Sequence, residues 1–213
     1  MSQQDDRARQ AAVFDALGAE YERAFAHSEA HQRSLKWLLG RLAPGSRVLD
    51  VGSGTGRPTA AVLTAAGHDV VGLDISPVMV DLATRQVPGA EFRCADVREA
   101  SFEDASYDAV CVYFTLLQMP RREQSDVVRR LTRAVKPGGS MALATVPVDV
   151  EEAEGVFMGQ PVRVTSFAAS AFADLALGAG LTVVSQEEAL FTPAHAQATP
   201  EPHLFVHCRR TGD

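Results

Sequence analysis

Three glycines, two hydroxyl side chains and one aspartate fall within the stretch VLDVGSGTG, residues 48–56. A chain surrenders side chains at such a strand-to-helix turn so that a ligand can lie close against its backbone. Gly52, Gly54 and Gly56 stand at the carboxyl end of a short apolar run, RVLDV, where open parallel sheets take up ligands. Asp74 closes the next apolar run, HDVVGLD, about 20 residues on, the position from which an acid accepts hydrogen bonds from ribose hydroxyls. Asp96, in CADV, follows the third such run at the same edge, where a carboxylate can take the exocyclic amine of an adenine. Turn, ribose acid and adenine acid together outline an adenosine pocket.

The charges around the turn restrict which adenosine compound fits. A pyrophosphate on the loop would face Asp50, and like charges a few ångströms apart in a partly dry site cost on the order of several kcal/mol. The third glycine of a G-x-G-x-x-G dinucleotide signature is replaced by Arg57, too large for close helix–strand packing, and no G-x-x-x-x-G-K-[ST] loop occurs. A cationic ligand suits the turn better than an anionic one. A nicotinamide-dependent oxidoreductase would also need a Tyr-Lys pair or a second substrate domain. Y-x-x-x-K is absent, and Lys36 and Lys136 are the only lysines.

At 213 residues the chain fits one domain or one domain with an elaborated lid, and its 46% hydrophobic and 22% charged residues are ordinary for a soluble globular protein. A net charge of −7 argues against a nucleic-acid partner. The densest basic stretches, RRE at 121–123 and VVRRLTR at 127–133, read as the solvated side of a helix. Cys94, Cys111 and Cys208 are odd in number, far apart and set in apolar runs, so they read as reduced core residues of a cytoplasmic protein without a metal site. The polar opening MSQQDDRARQ and the lack of a long apolar run give no sign of export or of a membrane span.

The elements around the turn follow from periodicity. Residues 11–39 read as helix, with a stripe of Ala11, Phe14, Leu17, Tyr21 and Phe25 followed by a second piece, SLKWLLGRL. Beyond Pro44-Gly45 the chain alternates strands RVLDV, HDVVGLD, AEFRCAD, YDAVCVYF and SMALATV with helices after Arg57, over 77–86 (Ser76 as cap) and over 121–135, the last ending in a KPGG turn. That alternation predicts a doubly wound α/β parallel sheet. Residues 146–165 lack a period and read as an excursion or lid, followed by a helix capped by Ser166. LTVVSQEEAL and HLFVHCRR are strands with no helix between them, so the sheet is expected to finish with an antiparallel strand. One unit results: a helical cap over 1–45, a binding core over 46–145, the lid over 146–165, and a final helix and strand pair over 166–213.

In their order, VLDVGSGTG, VVGLDIS, CADV, YDAVCVYFTLLQM and LTRAVKPGGSMALAT resemble the class I S-adenosylmethionine-dependent methyltransferases across roughly 46–145. The resemblance implies a Rossmann-like, seven-stranded sheet with a reversed last strand, S-adenosylmethionine as cofactor and S-adenosylhomocysteine as product. It also implies site roles. Gly52 and Gly54 would pass the methionine portion, Asp50 would shape the polar side of the loop, and Ser53 and Gly56 would complete it. Asp74 and Ile75 would hold the ribose, Asp96 the adenine amine, and Met79 and Val97 the adenine faces. Tyr113 and Phe114 would border the sulfonium.

The acceptor side is thinner. Tyr113, Tyr21 and His27 are the candidate catalytic groups. His27 and His31 lie at i and i+4 on one face of any continuing helix, with surface placement favoured over metal binding. His195 reads as a surface residue of a Pro-rich loop. YFTLLQMP after the fourth strand lacks the Asn/Asp-Pro-Pro-Tyr pattern, which disfavours amides and nucleobases, while Phe157, Met158 and Val162 in the lid suit a small, partly apolar acceptor. The expected activity is O-, N- or C-methylation of a small molecule, and the Ala-, Arg- and Val-rich composition points to bacterial secondary metabolism. A non-methylating relative that keeps the cofactor pocket, a cyclase or a sensor, shares every one of these features.

Overall fold

A computed structural model describes residues 3–196 and 198–212. The chain opens with helices α1 (Gln3–Leu17), α2 (Ala19–Phe25) and α3 (Glu29–Leu39). It continues through β1 (Arg47–Val51), α4 (Thr59–Ala65), β2 (Asp69–Asp74), α5 (Pro77–Gln86), β3 (Glu91–Cys94) and β4 (Tyr107–Tyr113). A 3-10 turn (Leu116–Gln118), α6 (Arg121–Ala134) and β5 (Val135–Thr145) come next, then β6 (Ala153–Phe157), β7 (Gln160–Val164), α7 (Ala169–Gly178), β8 (Leu181–Phe191) and β9 (Glu201–Arg210).

Seven strands form one sheet in the order β3-β2-β1-β4-β5-β9-β8. Neighbours among β1 to β5 pair in parallel, while β9 runs antiparallel to both β5 and β8, as the missing helix between the last two strands implies. The strand order reverses between β1 and β4, and Val51 stands level with Leu73 on one side and Val112 on the other. A crevice therefore opens beyond the carboxyl ends of these strands. Alternation along each strand supplies two cores. Leu49, Val51, Val110, Val112, Leu131 and Phe172 fill one, and Val48, Ala109, Cys111, Leu35, Leu38 and Leu63 fill the other.

Local signals account for several boundaries. Ser76 caps α5 by accepting from the Met79 amide at 3.0 Å, with Pro77 in the first turn, a cap worth about 1 kcal/mol. In α6, Val127, Val128, Leu131 and Ala134 are buried while Arg122, Arg129 and Arg133 form the solvated side. Arg121 and Arg130, read from sequence as solvated too, are half-buried and donate to the Ser166 and Arg98 carbonyls at 2.9 and 2.7 Å.

Other boundaries correct the sequence reading. The N-terminal helix breaks at Gly18 and again at Ser28, whose hydroxyl caps α3 by accepting from His31 N at 3.3 Å. Lys136-Pro137-Gly138-Gly139 lies within β5 and is not a turn before it. The aperiodic segment 146–165 contains an antiparallel hairpin, β6–β7. Ser166 does not cap α7. Its hydroxyl instead accepts from Val148 N at 3.2 Å, and Ala168 precedes the helix without a side-chain cap. Cys111 and Cys208 are buried core residues, but Cys94 is exposed, and all three are free thiols.

Candidate cofactor and acceptor site

The glycine turn begins where β1 ends. Gly52 has φ +70°, and a Cβ placed there would meet Thr115 Oγ1 at 2.1 Å, so the side chain of Thr115 packs where a side chain at 52 would stand. Gly54 has φ +52° and open space on its Cβ side, facing the crevice. The amides of Gly52 and Ser53 both donate to Leu73 O, at 2.7 and 3.0 Å, tying the turn to the end of β2. Asp74 completes the tie: one carboxylate oxygen accepts from Gly54 N at 2.8 Å and the other from Ser76 N at 2.9 Å. Burial raises its pKa against those amides, and the Asp15 charge adds to the rise.

Above this turn lies a cavity of about 320 Å³. Of the residues expected from sequence, Gly52, Gly54, Asp74, Ile75, Met79, Asp96, Val97, Phe114, Tyr113 and Tyr21 line it. Asp50, Ser53, Gly56 and His27 do not. Gly56 is instead a packing position, since a Cβ there would meet Phe92 and Val87 at 3.1 Å. Asp50 and Ser53 lie behind the turn, where Asp50 Oδ2, Ser53 Oγ and nearby Thr55 Oγ1 are buried without hydrogen-bond partners among the described residues.

Asp50 carries a pH dependence. Burial, and then the Asp74 charge, lifts its pKa to about 7. An unfolded chain releases that proton near pH ~4, so between about pH 4 and about pH 7 the folded state holds one proton more. Stability therefore falls as pH rises through this window and stays low above it. We expect Asp50→Asn to flatten the slope and raise the melting temperature above about pH 7, by energy on the order of 1–3 kcal/mol. Parallel melting curves for the two proteins at every pH would refute this.

Asp96 is less free than the sequence suggests. Its carboxylate takes the Arg98 guanidinium at 2.7 Å and the Arg98 amide at 2.9 Å, with Arg7 Nε at 3.5 Å. Burial works to raise its pKa, but the hydrogen bonds and charge of Arg98 prevail and hold it below the usual range. Arg98 Nε reaches both oxygens, at 2.9 and 3.0 Å, so a further donor to Asp96 would have to share an oxygen with the arginine.

Two of the three candidate catalytic groups are corrected by the structure. The Tyr113 ring borders the cavity, yet its hydroxyl turns the other way, 2.9 Å from Ser34 Oγ in α3. Ser34 continues to His207 at 2.8 Å and His207 to Ser185 at 2.9 Å, a polar chain through the opposite layer. Burial, with the Cys111 charge, pushes the Tyr113 pKa far up, so the phenol is no base for the cavity. His27 is exposed in the turn before α3, because the Ser28 cap breaks the helix that would have aligned it with His31. His31 is not a surface residue: its ring packs on Tyr113 at 4.3 Å and contacts Thr59 Oγ1 at 3.1 Å, and burial, then His203, lowers its pKa to about 3. His195, expected at the surface, is mostly covered and lies 3.8 Å from Glu20.

Tyr21 does face the cavity. Its ring packs on Phe14, Phe25 and Phe157. Burial and the charges of Asp74 and Glu201 raise its pKa, so at neutral pH it stays a protonated donor and is no base. Phe114 has φ +58°, a conformation costing a bulky residue roughly 1–2 kcal/mol, which sets its ring 4.5 Å from His203.

The sequence reading missed Arg98, Glu201 and His203. Arg98 follows its partner acid by two residues, a local signal within reach of sequence. Glu201 lay hidden in the Pro-rich TPEP. Among the described residues no group of three or more His, Cys, Asp or Glu is placed to hold a metal ion, and no helix is long and apolar enough to cross a membrane.

A doubly wound sheet with one reversed strand, a glycine turn at its switch point and an acid closing β2 defines a nucleoside-binding α/β fold. Residues 48–139 match the family described as Methyltransferase domain. Methyltransferase GfsG of Streptomyces halstedii is 33% identical over 129 residues, 57% of this chain and 46% of that protein. The chain spans about half the length of the curated relatives it matches. Among solved structures, Burkholderia thailandensis 1,6-didemethyltoxoflavin-N1-methyltransferase superposes with a TM-score of 0.75 at 20% identity, covering 99% of this chain and 91% of that one. The [4+2]-cyclase SpnF superposes at 0.66 and 20% identity, covering 87% and 82%. Over residues 48–139 the chain is thus similar to a methyltransferase domain, on a fold shared with methyltransferases of known structure.

Proposed function

We propose that the chain binds S-adenosylmethionine in this cavity and methylates a small, largely apolar molecule. The observation that carries the reading is the continuity of one cavity from the glycine turn and Asp74 to the aromatic wall of Tyr21, Phe25 and Phe157. Gly52 and Gly54 leave room for the methionine portion, Asp74 and Ile75 take the ribose, and Met79 and Val97 flank the adenine, whose amine meets Asp96. Asp50 and Ser53 shape the turn from behind without lining the cavity, and Gly56 closes its packing.

The cofactor supplies an activated methyl group. The protein's part is alignment and exclusion of water, which effective molarity and desolvation turn into rate. Phe114 and the ring of Tyr113 wall the reacting region, Tyr21 offers a donor, and the β6–β7 hairpin with α1 and α2 covers it.

The same reading takes residues 1–45 as cap, 46–145 as cofactor core, 146–165 as cover and 166–213 as the closing helix and strands of one unit. It sets the protein in a bacterial cytoplasm, supported by three free thiols and by the bacterial source of its relatives, and gives it no nucleic-acid partner, in keeping with the charge of −7.

Titration calorimetry with S-adenosylmethionine, S-adenosylhomocysteine and NAD tests the pocket. Micromolar binding of the first two and none of NAD is expected, and binding of NAD alone would overturn the reading. The likeness to a cyclase fold supports a second reading, rearrangement without transfer, which mass spectrometry of the product separates: a gain of one methyl marks transfer, an isomer of equal mass marks the cyclase.

A further inference from the structure

The acceptor end of the cavity holds an acid that the cofactor roles leave unused. Glu201, the first residue of β9, lines the cavity with its side chain 27% exposed, and its Oε1 lies 2.8 Å from His203 Nε2. His203 is itself almost fully buried and clamped between rings: Phe114 at 4.5 Å, Phe191 stacked at 5.2 Å and Phe25 stacked at 6.4 Å. Its Nδ1 is buried without a partner among the described residues. A neutral imidazole has one donor and one acceptor nitrogen. With the proton on Nε2, His203 donates to Glu201 and leaves only a bare lone pair at Nδ1, which avoids a stranded N–H. The carboxylate of Glu201 is thereby fixed in direction while its second oxygen has no protein donor among the described hydrogen bonds.

Apolar side chains line the cavity with it: Phe25, which also stacks near His203, Phe157 and Val162. A carboxylate in such walls repels an anionic ligand, and a pure hydrocarbon would strip it of water without replacing the lost hydrogen bond. A ligand with an apolar body and one acidic hydrogen satisfies both. Glu201, Asp74 and Tyr21 line the same cavity, so this acid shares a space with the cofactor floor.

We infer that Glu201 recognises the methyl acceptor and takes its proton, that His203 is the residue positioning it, and that the acceptor is a predominantly apolar molecule presenting one hydroxyl group. The inference rests on the methyl-transfer reading above. As the acceptor oxygen forms its bond to the methyl carbon, the carbon–sulfur pair stays on sulfur, giving a neutral thioether. The O–H bond breaks with its electrons kept on oxygen, and the proton passes to Glu201, which becomes the neutral acid.

The test uses the whole chain saturated with S-adenosylhomocysteine and two probes, 2-naphthol and 2-methoxynaphthalene, titrated by calorimetry. Wild type should bind 2-naphthol at least about fivefold more tightly than the ether, a charge-assisted hydrogen bond's worth of preference. Glu201→Gln should shrink that preference to below about twofold and His203→Gln should weaken it, with S-adenosylhomocysteine affinity unchanged in both. Equal binding of the probes to wild type, binding of neither, or a full preference retained by Glu201→Gln would overturn the inference and leave the cofactor reading standing. Failure of wild type to bind S-adenosylhomocysteine would overturn both. The wild-type comparison decides the matter even where a variant fails to fold.

Discussion

Gly52→Ala should cost the fold on the order of 2–4 kcal/mol and lower S-adenosylhomocysteine affinity by roughly 100-fold or more. Two separate penalties add at this position. At φ +70° an L side chain loses about 1–2 kcal/mol from backbone crowding alone. The new methyl group would also stand 2.1 Å from Thr115 Oγ1 and 2.6 Å from its Cγ2. Thr115 cannot simply swing aside, because its hydroxyl donates to Val51 O at 2.7 Å and its branched side chain has few rotamers. The turn must therefore move, and with it the amides that hold it to Leu73. For a chain of this length the expected loss is about 4–16 °C in melting temperature. Gly54→Ala is the control: with open space on its Cβ side it should pay only the backbone cost while still obstructing the ligand. Scanning calorimetry and titration on the two variants read both effects. A Gly52→Ala protein that melts and binds like wild type would remove the turn from the site.

Asp74→Ala should weaken S-adenosylmethionine binding by roughly 10- to 100-fold, about 1–3 kcal/mol, while changing the stability of the free protein much less. The carboxylate organises the turn and the start of α5 through Gly54 N and Ser76 N, and it is the acid proposed for the ribose. Its loss removes charge-assisted hydrogen bonds on both counts. Its folded-state pKa is raised, so at neutral pH the same group also costs stability, through a charge kept from water. Alanine relieves that cost as it forfeits the hydrogen bonds. Affinity and stability should therefore separate, and titration calorimetry beside thermal melts will show whether they do. Unchanged affinity would sink the ribose assignment.

What the sequence disclosed was local. RVLDV became β1 and residues 77–86 became α5 without adjustment, because strand length, Ser76 and Pro77 all act within a few residues. The glycine turn, Asp74 and Asp96 were legible for the same reason: their spacing is fixed by one strand-turn-helix unit after another. The hairpin over 153–164 was hidden by Pro161 and by glutamates, since a mostly exposed ribbon shows no apolar period. The direction of the Tyr113 hydroxyl depends on Ser34, 79 positions away, and no local pattern contains it. Glu201 reaches the cavity only because β9 enters the sheet beside β5, a placement decided by tertiary pairing.

The strand order β5-β9-β8 also governs how the site is acquired in time. β8 leaves the ribosome before β9, yet β9 is its sole neighbour in the sheet. It therefore has nothing to pair with until β9 has been made. The glycine turn and its two acids need only β1 to β4, all of which are made before β8 and β9. The nascent chain should hold a competent cofactor cradle while the wall that carries Glu201, His203 and Phe191 is still an unpaired ribbon. The acceptor chamber is the last part of this molecule to come into being.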